Sequence, residues 1–205
     1  MTPPPSTTSH AILGLLSLRS WTTYELAKQV QKSLGWFWPR AERKLYDEPK
    51  RLVAAGLASS EREMTGARPR TVYSVTKRGR TALRRWLDDP PAPPTLEFEG
   101  MVKVFFADAG SLDQLRATLT AIATTAEERL ADLEGKVREL SDEGYAFAQR
   151  GHLNALGLQF VVDHERSMAG WARWALAQTE DWRSTTDPGR WDHRKALSSL
   201  PAGGT

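Results

Sequence analysis

The stretch LASSEREMTGARPRTVYSVT, residues 57–76, decides the fold that we expect for this chain. Residues 58–63 and 70–75 are predicted to form two short strands, and in the second strand Tyr73 and Val75 lie on one face by period-two alternation. The segment between them, residues 64–69, contains a glycine and a proline and is predicted to form the tip of a hairpin. Helical patterns lie on both sides of this hairpin, so the fold must join a small sheet to helices.

Two helices are predicted near the start of the chain. The first covers residues 10–18, with Ser9 as its cap and several buried leucines. The second begins at Thr22-Thr23-Tyr24-Glu25, where a hydroxyl and a carboxylate three residues apart have the spacing of a capping box. This second helix is expected to run to about residue 33, before Gly35 ends it.

A third helix is predicted to precede the hairpin directly. It starts at Pro39, which suits a first helical turn because its missing donor is not needed there, and it ends near Ala55 ahead of Gly56. Pro49 removes one donor and crowds the carbonyl oxygen of Leu45, so we expect a kink in the middle of this helix.

The remainder of the chain is predicted to be helical. Thr76 caps a fourth helix that runs through Leu87, and a proline-rich stretch, residues 90–94, follows it. An apolar helix over residues 96–107, a long helix from Ser111 and a last helix over residues 152–181 come next. The apolar positions of the long helix recur at intervals of three and four, as in a coiled coil.

Charge is divided unevenly at the proline-rich stretch. Up to Asp88 there are 16 Lys and Arg against 7 Asp and Glu, a balance of +9, and the remaining 12 against 18 give −6. A basic half joined to an acidic half indicates two tasks, and an uneven surface without function is the alternative. We expect the basic half to face a polyanion.

Roughly residues 10–88, which contain the capping box, the hairpin and the fourth helix described above, resemble PadR-type regulators. The resemblance rests on residues 10–16 (HAILGLL), 23–26 (TYEL), 45–46 (LY), 50–57 (KRLVAAGL), 73–76 (YSVT), 79–80 (GR) and 83–87 (LRRWL). It implies a transcription factor, in most cases a repressor and often one that small aromatic or phenolic compounds release from DNA. It also implies a helical C-terminal region that pairs subunits. The family usually has a leucine where Pro49 stands, so the course of the third helix departs from its pattern.

The resemblance and the patterns together give one architecture. We expect a mainly α protein, with an N-terminal winged helix-turn-helix (three helices, a two-stranded wing and a fourth helix) and a C-terminal helical dimerisation region that contains a long coiled-coil-like helix. The expected divisions are a flexible arm (1–8), a DNA-binding domain (9–88), a linker (89–95), a dimerisation and effector-sensing domain (96–183) and a flexible tail (184–205).

Exposed donors at the start of the third helix are the candidate DNA readers. Arg40 and Arg43 suit guanine edges because a guanidinium makes two bonds there, whereas Lys44 and Lys50 suit phosphates. Solvated helix charges are the alternative. The wing tip and the start of the second helix add further candidates for backbone or minor-groove contacts: Arg62, Thr65, Arg68, Arg70, Thr23 and Tyr24.

The C-terminal half supplies candidates for pairing and for sensing. A homodimer on a palindromic operator would set two reading helices one helical turn apart, and an intramolecular bundle is the alternative use of the same apolar residues. The dimer candidates are Leu96, Met101, Phe105, Leu112, Leu115, Leu119, Ile122, Leu130, Leu133 and Val137. The candidate effector pocket is Phe105, His164, Met168, Trp171 and Trp174, for which ordinary core packing is the alternative.

Other classes of protein find little support in the sequence. It contains no cysteine, its four histidines lack metal-ligand spacing, and it has no phosphate loop or nucleophile elbow, so we predict no metal, cofactor or catalytic residue. The start MTPPPSTTS lacks the regions of a secretory signal, and a cytoplasmic location is expected. An enzyme and a winged helix that binds protein without DNA are the competing functions.

Overall fold

The computed structural model describes residues 4–38, 46–65, 68–143 and 147–198. The chain divides into two compact units, Met1–Pro94 and Thr95–Thr205. The division falls at the end of the proline-rich stretch. No helix in the described ranges is both long and apolar enough to cross a membrane.

The first unit opens with α1 (Thr7–Leu18), a short strand β1 (Trp21–Thr22) and α2 (Thr23–Ser33). The predicted cap of α1 is wrong, because Ser6 and not Ser9 caps it. Ser6 Oγ accepts from the backbone N–H of Ser9 at 3.2 Å, and Ser9 Oγ accepts from the N–H of Ser6 at 2.8 Å. Two residues assigned to the flexible arm therefore belong to the helix.

The capping box of α2 is confirmed. The carboxylate of Glu25 accepts from the backbone N–H of Thr22 at 2.8 Å, and Thr22 Oγ1 accepts from the N–H of Glu25 at 3.2 Å. The strand β1 just before it was not predicted. A segment of two residues is too short to show a period, and its pairing partner lies some 50 residues further on at Tyr73.

The helix expected to kink at Pro49 is instead interrupted before it. Tyr46 and Asp47 form a turn, and α3 (Glu48–Ala54) begins after them with Pro49 in its first turn. A proline fits there because the first N–H groups of a helix have no intrahelical acceptor. Residues 39–45, the rest of the predicted helix, lie outside the described residues. Gly56, at φ 69°, ends the helix as expected.

Strands β2 (Ala58–Thr65) and β3 (Arg68–Val75) form the predicted hairpin, and each is two residues longer than expected at the tip. The sheet is antiparallel with the order β1-β3-β2. Helix α4 (Lys77–Asp88) follows, capped by Thr76 as predicted. The core of this unit is aliphatic: Ile12, Leu13, Leu16, Leu26, Val30 and Leu52 are all almost fully buried.

The regular secondary structure in the described part of the second unit is all helical. Its elements are α5 (Glu99–Phe105), a 3-10 turn (Ala107–Ala109), α6 (Leu112–Glu143), a second 3-10 turn (Ala148–Arg150), α7 (Gly151–Gln178) and α8 (His193–Ser198). The predicted helix from residue 96 begins only at Glu99, because the chain is extended through Phe98 at φ −135° and ψ 99°.

Helices α6 and α7 form an antiparallel pair. Arg116, near the start of α6, donates to Thr179 at the end of α7, while Arg173 Nε lies 2.8 Å from Glu127 Oε1. The segment after α7 was expected to be loosely ordered. It instead contains α8 and folds back, since the indole N–H of Trp191 donates to Gln178 Oε1 at 2.9 Å.

Candidate nucleic-acid interface and effector groove

Helix α2 presents a polar stripe to solvent. Tyr24 is 74% exposed at its start, and Lys28 and Lys32 follow at intervals of four residues, which places all three on one face. The opposite face buries Leu26 and Val30. Lys28 and Lys32 were not predicted, although their spacing from Tyr24 was a readable signal. Neither lysine has an ion-pair partner within the described residues.

The acid at the start of α2 is neutralised locally. Arg19 donates to Glu25 at 3.2 Å and also stacks on Trp21, with its guanidinium carbon 3.6 Å from the ring centroid. The backbone N–H of Thr22 holds the pKa of Glu25 below its usual value, and its side-chain hydroxyl and Arg19 add to this. Thr23 is half-buried beside this cluster. The negative charge of Glu25 therefore does not oppose an anion at this end of α2.

Helix α3 is held against α1 by a buried acid. Glu48 is 5% exposed, and the hydroxyl of Ser9 donates to its Oε1. Arg51 Nη1 lies 3.8 Å from the same carboxylate. Lys50 is exposed, and its Nζ lies 3.8 Å from Asp47 Oδ1. The proposed base readers Arg40 and Arg43, and Lys44 with them, lie outside the described residues.

Two arginines of the wing, Arg70 and Arg62, differ in their surroundings. Arg70 Nη2 is 2.8 Å from Glu63 Oε2, across the β2-β3 register. Arg62 is exposed and has no ion pair within the described residues. Thr65 and Arg68 form the last paired position of the hairpin, next to the tip. The wing therefore extends its backbone to the tip residues that we predicted to reach DNA.

The second unit contains an open groove of about 650 Å³ between the start of α5, α6 and α7. Its walls carry small side chains of α6, Ala117, Ala121 and Ala126, with the ring of Phe98. Of the predicted pocket residues, His164 and Met168 line it. Phe105, Trp171 and Trp174 do not, so the aromatic lining was wrong in most of its members.

An ion pair lies in the wall of this groove. Arg129 Nε is 2.9 Å from Glu165 Oε1, and the side chain of Glu165 is only 5% exposed. His164 stacks on Phe160 with ring centroids 6.4 Å apart. Phe105 fails to line the groove because it lies on the outer side of α5, where it is 77% exposed. The groove thus combines an apolar wall with polar groups, the usual character of a small-molecule site.

The predicted dimer residues fall into three groups. Leu115, Leu119 and Leu133 are buried within one subunit. Leu112, Ile122 and Leu130 are half-buried. Leu96, Met101, Phe105 and Val137 are exposed, as are Val102 and Leu153, which were not predicted. The predicted apolar residues of α6 are therefore mainly buried or half-buried within one subunit. The exposed group is the set of side chains that could contact a partner subunit.

Two family models match this chain. One, the transcriptional regulator PadR-like family, matches residues 12–85, and the other, the virulence activator alpha C-term, matches residues 99–180. Among curated proteins, the negative transcriptional regulator PadR of Bacillus subtilis (strain 168) is 26% identical over 175 residues, which are 83% of this chain and 96% of that protein.

Residues 12–85 of this chain match the PadR-like family, in agreement with the resemblance expected from the sequence. The chain is similar to the crystal structure of Bacillus subtilis PadR in complex with operator DNA, with a TM-score of 0.72, 25% identity, and coverage of 84% of this chain and 98% of that one. It is also similar to the complex of Bacillus subtilis PadR with p-coumaric acid, with a TM-score of 0.66, 25% identity, and coverage of 86% and 97%. The PadR-like resemblance and the winged-helix fold expected from the sequence are both confirmed.

Proposed function

We propose that this PadR-like regulator binds a palindromic operator as a homodimer, represses transcription and is released by a small aromatic compound. The observation that carries the DNA-binding part is the exposed stripe of Tyr24, Lys28 and Lys32 on α2, a helix that also contacts strand β3 of the wing. The Bacillus subtilis relative, a negative regulator with operator and p-coumaric acid complexes, supports the choice. We place the protein in the cytoplasm and give it no catalytic role.

The winged unit would contact DNA with three elements. A major groove about 12 Å wide accepts one helix, and the segment through α3 supplies Arg40 and Arg43 for base edges and Lys44 and Lys50 for phosphates. The stripe on α2 would lie along the phosphate backbone, with Thr23 and Tyr24 at its start. The wing would place Arg62, Thr65, Arg68 and Arg70 against the backbone or the minor groove.

Pairing of subunits gives the two reading helices their spacing. Two half-sites one turn apart are separated by roughly 34–36 Å, and a fixed dimer holds two identical units at that distance. The exposed apolar residues of α5 and its neighbourhood, Leu96, Met101 and Phe105, are the surface that we assign to this contact. A single unit would neutralise few phosphates and read few bases, and so would bind weakly and with little sequence selectivity.

The groove is the site that we assign to the effector. An aromatic ring fits along Ala117 and Ala121, and Arg129 and His164 offer polar contacts at the wall. A ligand shifts the protein between two states only through a difference in affinity for them. Because the groove is bordered by the start of α5, and α5 carries the dimer surface, an occupied groove would favour a setting of the dimer that does not fit the operator.

The DNA-binding part is tested on duplexes selected from random sequence. Lys28→Ala/Lys32→Ala should weaken binding similarly across sequences and lower the salt dependence, by about 0.9 in the slope for each phosphate that the variant no longer neutralises. Lys195→Ala, an exposed lysine of α8, is the control. Arg43→Ala should instead relax specificity at one base pair. An unchanged salt slope in the α2 double variant would contradict the assigned backbone contact.

The effector part is tested with p-coumaric acid as the probe. It should lower the operator affinity of the wild-type protein, and Ala121→Phe, which fills the groove, should abolish that response while DNA binding persists. Ala131→Phe is the matched control, because Ala131 is exposed on α6 and does not line the groove. Equal responses of Ala121→Phe and the wild type would remove the groove as the site.

A further inference from the structure

The outward surface of α4 is strongly basic and is not part of the interface assigned above. It consists of Lys77, Arg78, Arg80, Arg84 and Arg85, all exposed, and we call it the α4 cationic face. The opposite side of the helix faces the core through Gly79 and Trp86, the latter stacked on His10 with ring centroids 4.8 Å apart. Every Lys and Arg of α4 therefore lies on the side of the helix that does not pack against the core.

This charge has no partner among the acidic side chains that the structure describes. Within the described residues none of the five cations has an ion pair, and Arg80 makes a hydrogen bond to the carbonyl oxygen of Ser17 at 3.3 Å. The one carboxylate of the helix, Asp88, stands at its last residue.

The arrangement is also unfavourable for the helix itself. The first turn of α4 contains no acid, and Lys77, Arg78 and Arg80 lie where the helix dipole is positive. Arg80 and Arg84 are like charges at the i,i+4 spacing, which is unfavourable for an isolated helix. A bound anion would relieve both effects, so the face has the character of a binding surface.

The chemistry of the face favours nucleic acid over an acidic protein. Protein interfaces have a core depleted in charge and anchored by aromatic or aliphatic groups. Here the exposed apolar residue of α4 is Leu87, at the edge of the face. DNA interfaces are far more basic, and the guanidinium groups, four of the five cations, pair with phosphate through two bonds.

The start of the face is fixed to the end of α3. Thr76 Oγ1 donates to the carbonyl oxygen of Gly56 at 2.9 Å, and the N–H of Thr76 donates to that of Leu57 at 3.1 Å. Helix α3 has seven residues, about 10 Å, and α4 has twelve, about 18 Å. The cations of α4 thus begin close to the end of α3. They continue along α4, whose length corresponds to several phosphates of one DNA strand.

We propose that the α4 cationic face binds phosphates of the operator duplex outside the half-site whose bases we assign to Arg40 and Arg43. This proposal rests on the proposed function, because the flanking DNA is held near the face only while the operator is bound. That tethering raises the effective concentration of flanking phosphates above that of any free polyanion.

The test compares two duplexes in a fluorescence-anisotropy titration. One contains only the two half-sites, and the other adds about one helical turn, ten base pairs, of unrelated sequence at each end. The wild type should bind the longer duplex more tightly. Arg84→Ala/Arg85→Ala should keep its affinity for the short duplex and lose the gain from the flanks. Its salt slope on the long duplex should be lower by about 0.9 for each flanking phosphate that is no longer neutralised.

The control is Arg190→Ala/Arg194→Ala, which removes the same charge from two exposed arginines near α8 and should keep the gain. A wild type that binds both duplexes equally would overturn this proposal alone, whereas binding to neither would remove the proposed function. If Arg84→Ala/Arg85→Ala still binds the longer duplex more tightly, the proposal is also overturned. An acidic protein would then be the better candidate ligand for the α4 cationic face. Equal losses of affinity on both duplexes would overturn it too, by assigning Arg84 and Arg85 to the half-site.

Discussion

Glu48 joins α3 to α1 through the hydroxyl of Ser9, and both residues are buried. Ser9→Ala should lower the free energy of unfolding by about 1–3 kcal/mol, because a buried carboxylate loses its donor. Urea denaturation measures the change. Ser6→Ala is the matched comparison, since it breaks the same capping box that Ser9→Ala also disrupts, worth about 1 kcal/mol, but leaves the Glu48 contact in place. Equal losses for the two variants would show that the Glu48 contact contributes nothing.

His10 makes the stability of the first unit depend on pH. Burial lowers its pKa from the usual 6.5, against the opposing effects of the Ser6 carbonyl and Asp89. The unfolded chain therefore binds more protons than the folded one just below that pH. The free energy of unfolding should fall as the pH drops from about 6.5 to the folded-state pKa and then level off.

His10→Phe is the variant for this prediction, because it keeps a ring against Trp86 and removes the titrating group. Its stability should not show the decrease over that pH interval, as measured by thermal or urea unfolding at several pH values. If the variant follows the wild-type pH curve, another group is responsible for the dependence.

At the scale of elements, the approach of α4 to the end of α3 depends on one glycine. A Cβ on Gly79 would lie 2.0 Å from the carbonyl oxygen of Leu57, so α4 or that backbone would have to move. Gly79→Ala should cost more than about 2 kcal/mol in unfolding free energy. Gly14→Ala in α1, where nothing lies within 4 Å, should be neutral or stabilising by up to about 1 kcal/mol. Similar effects of the two changes would contradict this account of α4 packing.

The elements with local signals were the ones that the sequence predicted. The Thr22–Glu25 capping box, the stop at Gly56 and the hairpin each depend on neighbouring residues, and all were found. The break before Pro49 was expected only as a kink, because proline is compatible both with a distorted helix and with the first turn of a new one. Strand β1 depends on a distant partner, Tyr73, and has no local signal.

The candidate sites were less predictable for the same reason. The heptad-like spacing of α6 correctly marked an apolar face, but spacing does not distinguish a helix of the same subunit from one of a partner. Packing against α7 takes Leu119 and Leu133 inside. The rings assigned to the pocket failed because Phe105 and Trp174 are on outer faces, and that depends on how the helices rotate about their axes on packing.

At the scale of the whole molecule, the exposed surface of α5 should control the oligomeric state. Phe105, 77% exposed, and Phe106, 61% exposed, contact each other edge to face at 5.1 Å. Phe105→Glu should convert a dimer into a monomer at micromolar concentration, because a charge in an apolar contact loses its water. Sedimentation equilibrium measures the state, and operator affinity should fall with it.

Leu197→Glu is the control for this change, since Leu197 is an equally apolar side chain, 61% exposed, on α8. It should remain dimeric and bind the operator normally. A Phe105→Glu protein that sediments as a dimer would remove α5 from the pairing surface that we propose.

The burial of the α6 leucines within one subunit bears on how such a regulator responds to its own abundance. A protomer that buries Leu115, Leu119 and Leu133 by itself should stay folded when it is separated from a second copy. Dimer formation then follows mass action, so that the fraction of assembled protein rises with copy number while the separated form persists intact. When the cell holds few molecules, doubling or halving the synthesis of this protein would therefore change operator occupancy more than proportionally. The change would not require a different rate of protein turnover.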